Sequence, residues 1–175
     1  LEVAFCCLVV RRPPRSTLLP DTTLVRAVYA WPQPYHGCLW IKNQGDWRFE
    51  VQRIAHFGGA YAAAVGDIDG DGDSDVTLVS MANDWGNRQQ PSVVWLENRD
   101  QQFHMWGVDT DPIRLATVAC GDLNGDGRAD IVSGSLHFPP LGAARLQWIT
   151  VWIDLKSTSL KSMHVVISHA LLRLK

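Results

Sequence analysis

The chain has 175 residues, a net charge of −2 and only 19% charged residues, so it carries no polybasic patch for nucleic acid or an acidic membrane surface. It also contains no run of about 18 apolar residues, the length that a membrane-spanning helix requires.

Residues 1–30 read as an irregular N-terminal segment. Its apolar stretch Val3-Ala-Phe-Cys-Cys-Leu-Val-Val10 fits either the tail of a signal peptide's hydrophobic core or a buried strand. Residues 31–59 read as a partial structural unit, with Trp40-Ile-Lys-Asn43 followed by a polar turn and a Phe-centred strand, Asp46-Trp-Arg-Phe49-Glu-Val-Gln-Arg-Ile54. Residues 60–110 form a complete unit, with strands expected near 61–66, 75–81, 92–97 and 102–108. Residues 111–154 read as a further unit that carries the second acidic loop, 122–130, and 155–175 are a divergent tail that carries no turn signal and no acidic loop.

Two acidic loops organise this pattern: Asp67-Ile-Asp-Gly-Asp71-Gly-Asp-Ser-Asp75, and, 55 residues later, Asp122-Leu-Asn-Gly-Asp126-Gly-Arg-Ala-Asp130. Each places oxygen ligands at positions 1, 3, 5 and 9. Calcium takes six to eight oxygens at about 2.3–2.6 Å, and a glycine at position 6 lets a tight loop turn sharply enough to collect them. The expected ligands are therefore Asp67, Asp69, Asp71 and Asp75 in the first loop and Asp122, Asn124, Asp126 and Asp130 in the second. Position 7 would add a backbone carbonyl, from Asp73 and Arg128, leaving the arginine side chain to point into solvent.

An EF-hand is excluded, because position 12 is Leu78 or Ser133 instead of a bidentate glutamate. A dockerin-like loop would also leave into a helix, whereas these loops leave into β-branched runs, Val76-Thr-Leu-Val-Ser80 and Ile131-Val-Ser133. Each is entered from an apolar run ending in Gly66 or Gly121, so the motif is strand, loop, strand. A second motif shares the period: Trp40-Ile-Lys-Asn43 recurs as Trp95-Leu-Glu-Asn98, with a weaker echo in Val151-Trp-Ile-Asp154. Four-stranded units at this spacing predict an all-β fold built as a propeller or a related array.

These residues resemble the FG-GAP or VCBS-type repeat of integrin-alpha-like calcium-binding β-propellers. The likeness rests on Val65-Gly-Asp-Ile-Asp-Gly-Asp-Gly-Asp-Ser-Asp-Val76, on Cys120-Gly-Asp-Leu-Asn-Gly-Asp-Gly-Arg-Ala-Asp-Ile131 and on the Trp-x-x-Asn strands, with Phe57-Gly-Gly-Ala60 similar to a compressed form of the family's phrase. It covers about residues 38–153. The resemblance implies blades of four antiparallel strands, about two structural Ca²⁺ ions, and a role in adhesion or in recognition of a protein or glycan. Three units fall short of the four to eight blades of a closed propeller, so the chain reads as a fragment whose remaining blades belong to the same parent.

The second loop has one carboxylate fewer, which predicts weaker binding there. Loops without the position-12 glutamate suit a millimolar calcium supply, which favours an extracellular, periplasmic or cell-surface setting. The four cysteines show neither a disulfide framework nor a zinc spacing and read as free, buried thiols. The six histidines are scattered, no Gly-x-Ser-x-Gly elbow occurs, and the informative carboxylates are committed to the loops, so no catalytic residue is expected. An alternative class remains, a scaffold or accessory propeller of a larger secreted hydrolase or lyase whose active site lies elsewhere. Trp40, Trp95 and Trp152 read as packing residues, while Trp85 sits in a long connection where a binding loop is expected. The connections 82–91 and 136–144 are the expected ligand-binding loops.

Overall fold

The computed structural model describes residues 36–136 and 149–153 in full, and the backbone strands Phe5–Leu8, Thr22–Ala27 and Met163–Ile167. Twelve strands are present and no helix occurs among the described residues. In chain order they are β1 (Phe5–Leu8), β2 (Thr22–Ala27), β3 (Gly37–Asn43), β4 (Phe49–His56), β5 (Ala60–Gly66), β6 (Asp75–Ser80), β7 (Val93–Arg99), β8 (Gln102–Asp109), β9 (Leu115–Gly121), β10 (Asp130–Ser135), β11 (Ile149–Ile153) and β12 (Met163–Ile167). Each consecutive four make one antiparallel meander, giving three sheets ordered β1-β2-β3-β4, β5-β6-β7-β8 and β9-β10-β11-β12.

The four strands expected between residues 61 and 108 are β5 to β8, with ends that differ by no more than two residues. In the N-terminal segment, β1 falls in the apolar stretch for which a buried strand was one reading; it pairs with β2, and β2 pairs with β3, which completes a four-stranded first sheet where an irregular stretch and a partial unit were expected. Likewise β12, within the divergent tail, pairs with β11. Alternation in the tail is poor, and the pairing there comes from the free edge of β11.

The sheets stack face to face, with β5 lying against β2 on one side and against β9 on the other. The middle sheet is therefore covered on both faces. This explains why Val76-Thr-Leu-Val-Ser80 of β6 and Val93-Val-Trp-Leu-Glu-Asn98 of β7 are buried at every position, a near-continuous apolar run instead of an alternating one. Between the first and second sheets lie Cys38, Ala55, Phe57, Val76, Leu78, Val94 and Leu96, with Phe103 packed at their edge. Between the second and third lie Ile68, Val79, Val93, Trp95, Leu115, Ile131 and Trp152. Burial of a side chain of this size contributes about 1.5–3 kcal/mol, so the two apolar layers are the main cohesive force.

The tryptophans separate into two kinds. Trp40 faces the second sheet, edge-on to Phe103 with ring centroids 5.7 Å apart, and Trp95, its counterpart one repeat later, faces the third sheet. Trp152 does not continue the series. It pairs with Ile131, whereas Trp95 pairs with Thr77, and Thr77 corresponds to Val132, whose partner is Val151. A shift of one residue turns a strand side chain to the opposite face, so Trp152 points back at the second sheet and donates its indole N–H to Asp109 at 2.9 Å. All three are buried in packing layers, but the third fills a different slot.

Candidate metal centre

The acidic loops connect β5 to β6 and β9 to β10, so each leaves one strand and enters the next as the residue types required. Their internal hydrogen bonds match position by position. The carboxylate at position 1 accepts backbone N–H groups from both glycines, Asp67 from Gly70 at 2.7 Å and Gly72 at 3.0 Å, Asp122 from Gly125 at 2.7 Å and Gly127 at 2.9 Å, and Asp122 accepts a third from Asp126 at 3.2 Å. The position-5 N–H donates to the oxygen at position 3, at 3.3 Å in Asp69 and 2.9 Å in Asn124. The position-7 N–H donates to position 5, at 2.8 Å in Asp71 and 2.9 Å in Asp126. Position 9 closes the loop by accepting from position 2, Asp75 from Ile68 and Asp130 from Leu123, both at 3.0 Å. The glycines at positions 4 and 6 lie at φ between 81° and 92° in both loops, a conformation that any Cβ would strain.

In the first loop these bonds bring Asp67, Asp69 and Asp71 together, with one oxygen from each inside a 4.8 Å group. A carboxylate offers about four lone-pair sites, so an oxygen that accepts one N–H retains capacity for a cation. The donor set is hard oxygen throughout and fits calcium better than a metal that prefers nitrogen or sulfur. Asp73 stands outside this group. Asp75 is fully buried, and its second oxygen accepts the Asn98 N–H at 2.8 Å. Asn98, from the Trp-x-x-Asn motif, also donates its side-chain amide to Ser74 and thereby fastens the loop exit to the β7–β8 turn.

Electrostatics in the first loop favour a bound cation. Burial, then the neighbouring Asp71 carboxylate, raises the Asp69 pKa above the usual carboxylate range. Burial pushes Asp75 up to about 6 against the N–H bonds from Asn98 and Ile68 that pull it down. The Trp95 indole acts in the same downward sense, although its N–H stands outside hydrogen-bonding geometry. Glu97, not anticipated as part of the site, adds negative charge close to Asp69. Burial would raise its pKa too, but bonds from Arg99 at 2.9 Å and the Trp106 indole at 2.7 Å outweigh that and keep it low. No local motif marked Glu97; the same position one repeat earlier is Lys42, stacked over the Trp40 ring.

The second loop differs at one side chain. Arg128 does not point freely into solvent: its guanidinium bonds Asp126 at 2.7 Å and its stem runs over Gly70 of the first loop. The Asn124 amide also donates to Asp126, at 3.3 Å. The second loop thus carries an internal cation where the first has only carboxylates. A further contact ties the two together, the Ala129 N–H donating to the Asp67 carbonyl at 2.7 Å.

Of the other expected features, Cys38 and Cys120 are free thiols, and burial pushes their pKa up to about 12 and about 11, which keeps them protonated and unreactive. Trp85 is half-buried in its connection. The 136–144 connection lies almost wholly outside the described residues, as do the side chains of Cys6 and Cys7. Compared with protein-family models, with curated proteins and with solved structures, the chain matches none of them.

Proposed function

We propose that this chain is a non-catalytic, calcium-stabilised repeat module of the β-propeller kind, in which the three stacked sheets act as blades and present connecting loops to a protein or glycan ligand. The observation that carries the reading is the pair of nine-residue loops, with the same hydrogen bonds at the same positions between equivalent strands of adjacent sheets. Stacking of four-stranded meanders with β5 against both β2 and β9 supports the radial arrangement.

In this reading Asp67, Asp69 and Asp71 hold the tighter ion, and Asp122, Asn124 and Asp126 the weaker one. Calcium acts structurally, by neutralising carboxylates that otherwise repel one another beside a packed sheet, and so contributes folding free energy. Affinities of this class match extracellular calcium and favour a location outside the cytosol. Calorimetric titration of the metal-free chain tests the reading. Heat of binding that Asp71→Ala abolishes at the stronger site supports it, whereas no binding at millimolar calcium overturns it.

A further inference from the structure

Of the five asparagines in the chain, only Asn124 precedes a glycine. The pairing matters because the backbone nitrogen of the following residue is the nucleophile that closes an asparagine side chain into a succinimide, and a Cβ on that residue obstructs the approach. Gly125 has none, and among the described residues nothing stands within 4 Å of where a Cβ would be.

The second loop also aims its own groups at the atoms of this reaction. The Gly125 N–H, whose proton must leave, donates to Asp122 Oδ1 at 2.7 Å, so a carboxylate sits where a general base is needed. The Asp126 N–H donates to Asn124 Oδ1 at 2.9 Å, the oxygen on which negative charge gathers when the nitrogen attacks Cγ. Asp122 takes a weaker share of the same N–H, at 3.2 Å. The departing group, Asn124 Nδ2, is held by Asp126 Oδ2 at 3.3 Å. All of these bonds lie within the nine residues of the loop, so they do not depend on what lies beyond it.

The first loop supplies the comparison. Its position 3 is already an acid, Asp69, which accepts the equivalent N–H from Asp71 at 3.3 Å. Exchange of the Asn124 amide for a carboxylate would make both loops read Asp-x-Asp-Gly-Asp-Gly, so the first loop has the composition that the second acquires by this chemistry.

We propose that the second loop promotes its own deamidation at Asn124, a single-turnover modification that converts this residue to aspartate. The Gly125 nitrogen attacks Cγ while its proton passes to Asp122. The bond from Cγ to Nδ2 then breaks, and Nδ2 leaves as ammonia with that proton. Water is the one co-reactant, and nothing is oxidised or reduced. Its addition at Cγ breaks the bond from Cγ to the Gly125 nitrogen and gives aspartate, whereas addition at the main-chain carbonyl gives isoaspartate and lengthens the backbone by a methylene. The Asp126 N–H polarises the Cγ carbonyl and directs water there. The modification does not depend on calcium; its consequence for the metal rests on the calcium reading. The added carboxylate should tighten calcium binding at the second loop about tenfold, the scale of one more unit charge acting on a dication in water. A bound ion in turn engages Asp122 and the Asn124 oxygen, removes the base and slows the conversion.

The test is incubation of the full chain at neutral pH, in calcium and in EDTA, followed by peptide mass spectrometry and chromatography against synthetic aspartyl and isoaspartyl standards. Conversion confined to Asn124 supports the proposal when it is faster in the folded chain in EDTA than in the same chain unfolded in guanidinium, and when aspartate is the main product. A folded rate equal to or below the unfolded one overturns it, because the loop then gives no assistance. So does isoaspartate as the main product. Asp122→Asn should slow the folded conversion at least about tenfold, and an unchanged rate in a folded variant overturns the role of the base. The comparison of folded and unfolded rates needs no variant and decides the matter even where Asp122→Asn does not fold. Asn124→Asp supplies the product directly, and titration calorimetry should show its second calcium isotherm tightened about tenfold. Loop-assisted conversion at equal rates in calcium and EDTA, with no ion bound by Asn124→Asp, leaves the modification standing and removes the metal reading.

Discussion

Asp75 makes the metal-free chain sensitive to pH in a direction opposite to that of most carboxylates. It is fully buried at the loop exit, and burial raises its pKa from an ordinary 3.8 to about 6. The folded pKa lies above the unfolded one, so stability is complete below the unfolded value and is lost as pH rises through about 6. Two pH units at 1.36 kcal/mol each give a loss of about 3 kcal/mol, or roughly 6–12 °C in Tm for a chain of this size. Asp69 shifts in the same direction, whereas Glu97, held low, contributes stability that is complete above its unfolded pKa and is lost as pH falls through the folded one. Comparing the native chain with Asp75→Asn isolates the one group. Urea unfolding in EDTA at steps from pH 3.5 to 7.5 measures it: the native stability should fall by about 3 kcal/mol relative to the variant. A difference that stays flat, or rises with pH, refutes the reasoning. In saturating calcium the native slope should reverse, because ion binding requires ionised carboxylates.

Chelation itself should lower the melt. With a dissociation constant of about 10⁻⁴–10⁻³ M and 2 mM calcium, each site adds roughly 0.6–1.8 kcal/mol, which scanning calorimetry reads as about 1–7 °C. The two loops should respond unequally, so Asp71→Ala should cost more calcium affinity than Asp126→Ala in titration calorimetry. Arg128→Ala removes the internal cation of the second loop and should raise that loop's affinity, read from the second binding isotherm in titration calorimetry. Gly70→Ala introduces a Cβ at φ +82° and 2.8 Å from the Arg128 stem, so unfolding in urea should show a loss of about 1–3 kcal/mol.

The loops were legible in the sequence because their geometry is local. Aspartates at fixed spacing bond N–H groups two to five residues away, and the glycines follow from the turn those bonds impose, so nine residues specify the shape. The strands β5 to β8 were legible for a similar reason, in that repeated apolar runs flank the loops. What was not legible depends on partners distant in the chain. Glu97 joins the loop electrostatics across a strand pairing, Arg128 turns inward because Asp126 and Gly70 await it, and β2 and β12 are strands by virtue of a neighbour's edge. Trp152 shows how a motif misleads: Val-Trp-Ile-Asp resembles Trp-Leu-Glu-Asn, but only pairing with Ile131 reveals which face the indole takes.

The bond from Ala129 to Asp67, together with the Arg128 stem over Gly70, places the lid of one loop in the following unit. On a ribosome, the sheet that carries the first loop would wait unfinished until the following sheet had been made. Maturation would then proceed from the amino end, and a truncation before Arg128 would leave the first loop without its cover.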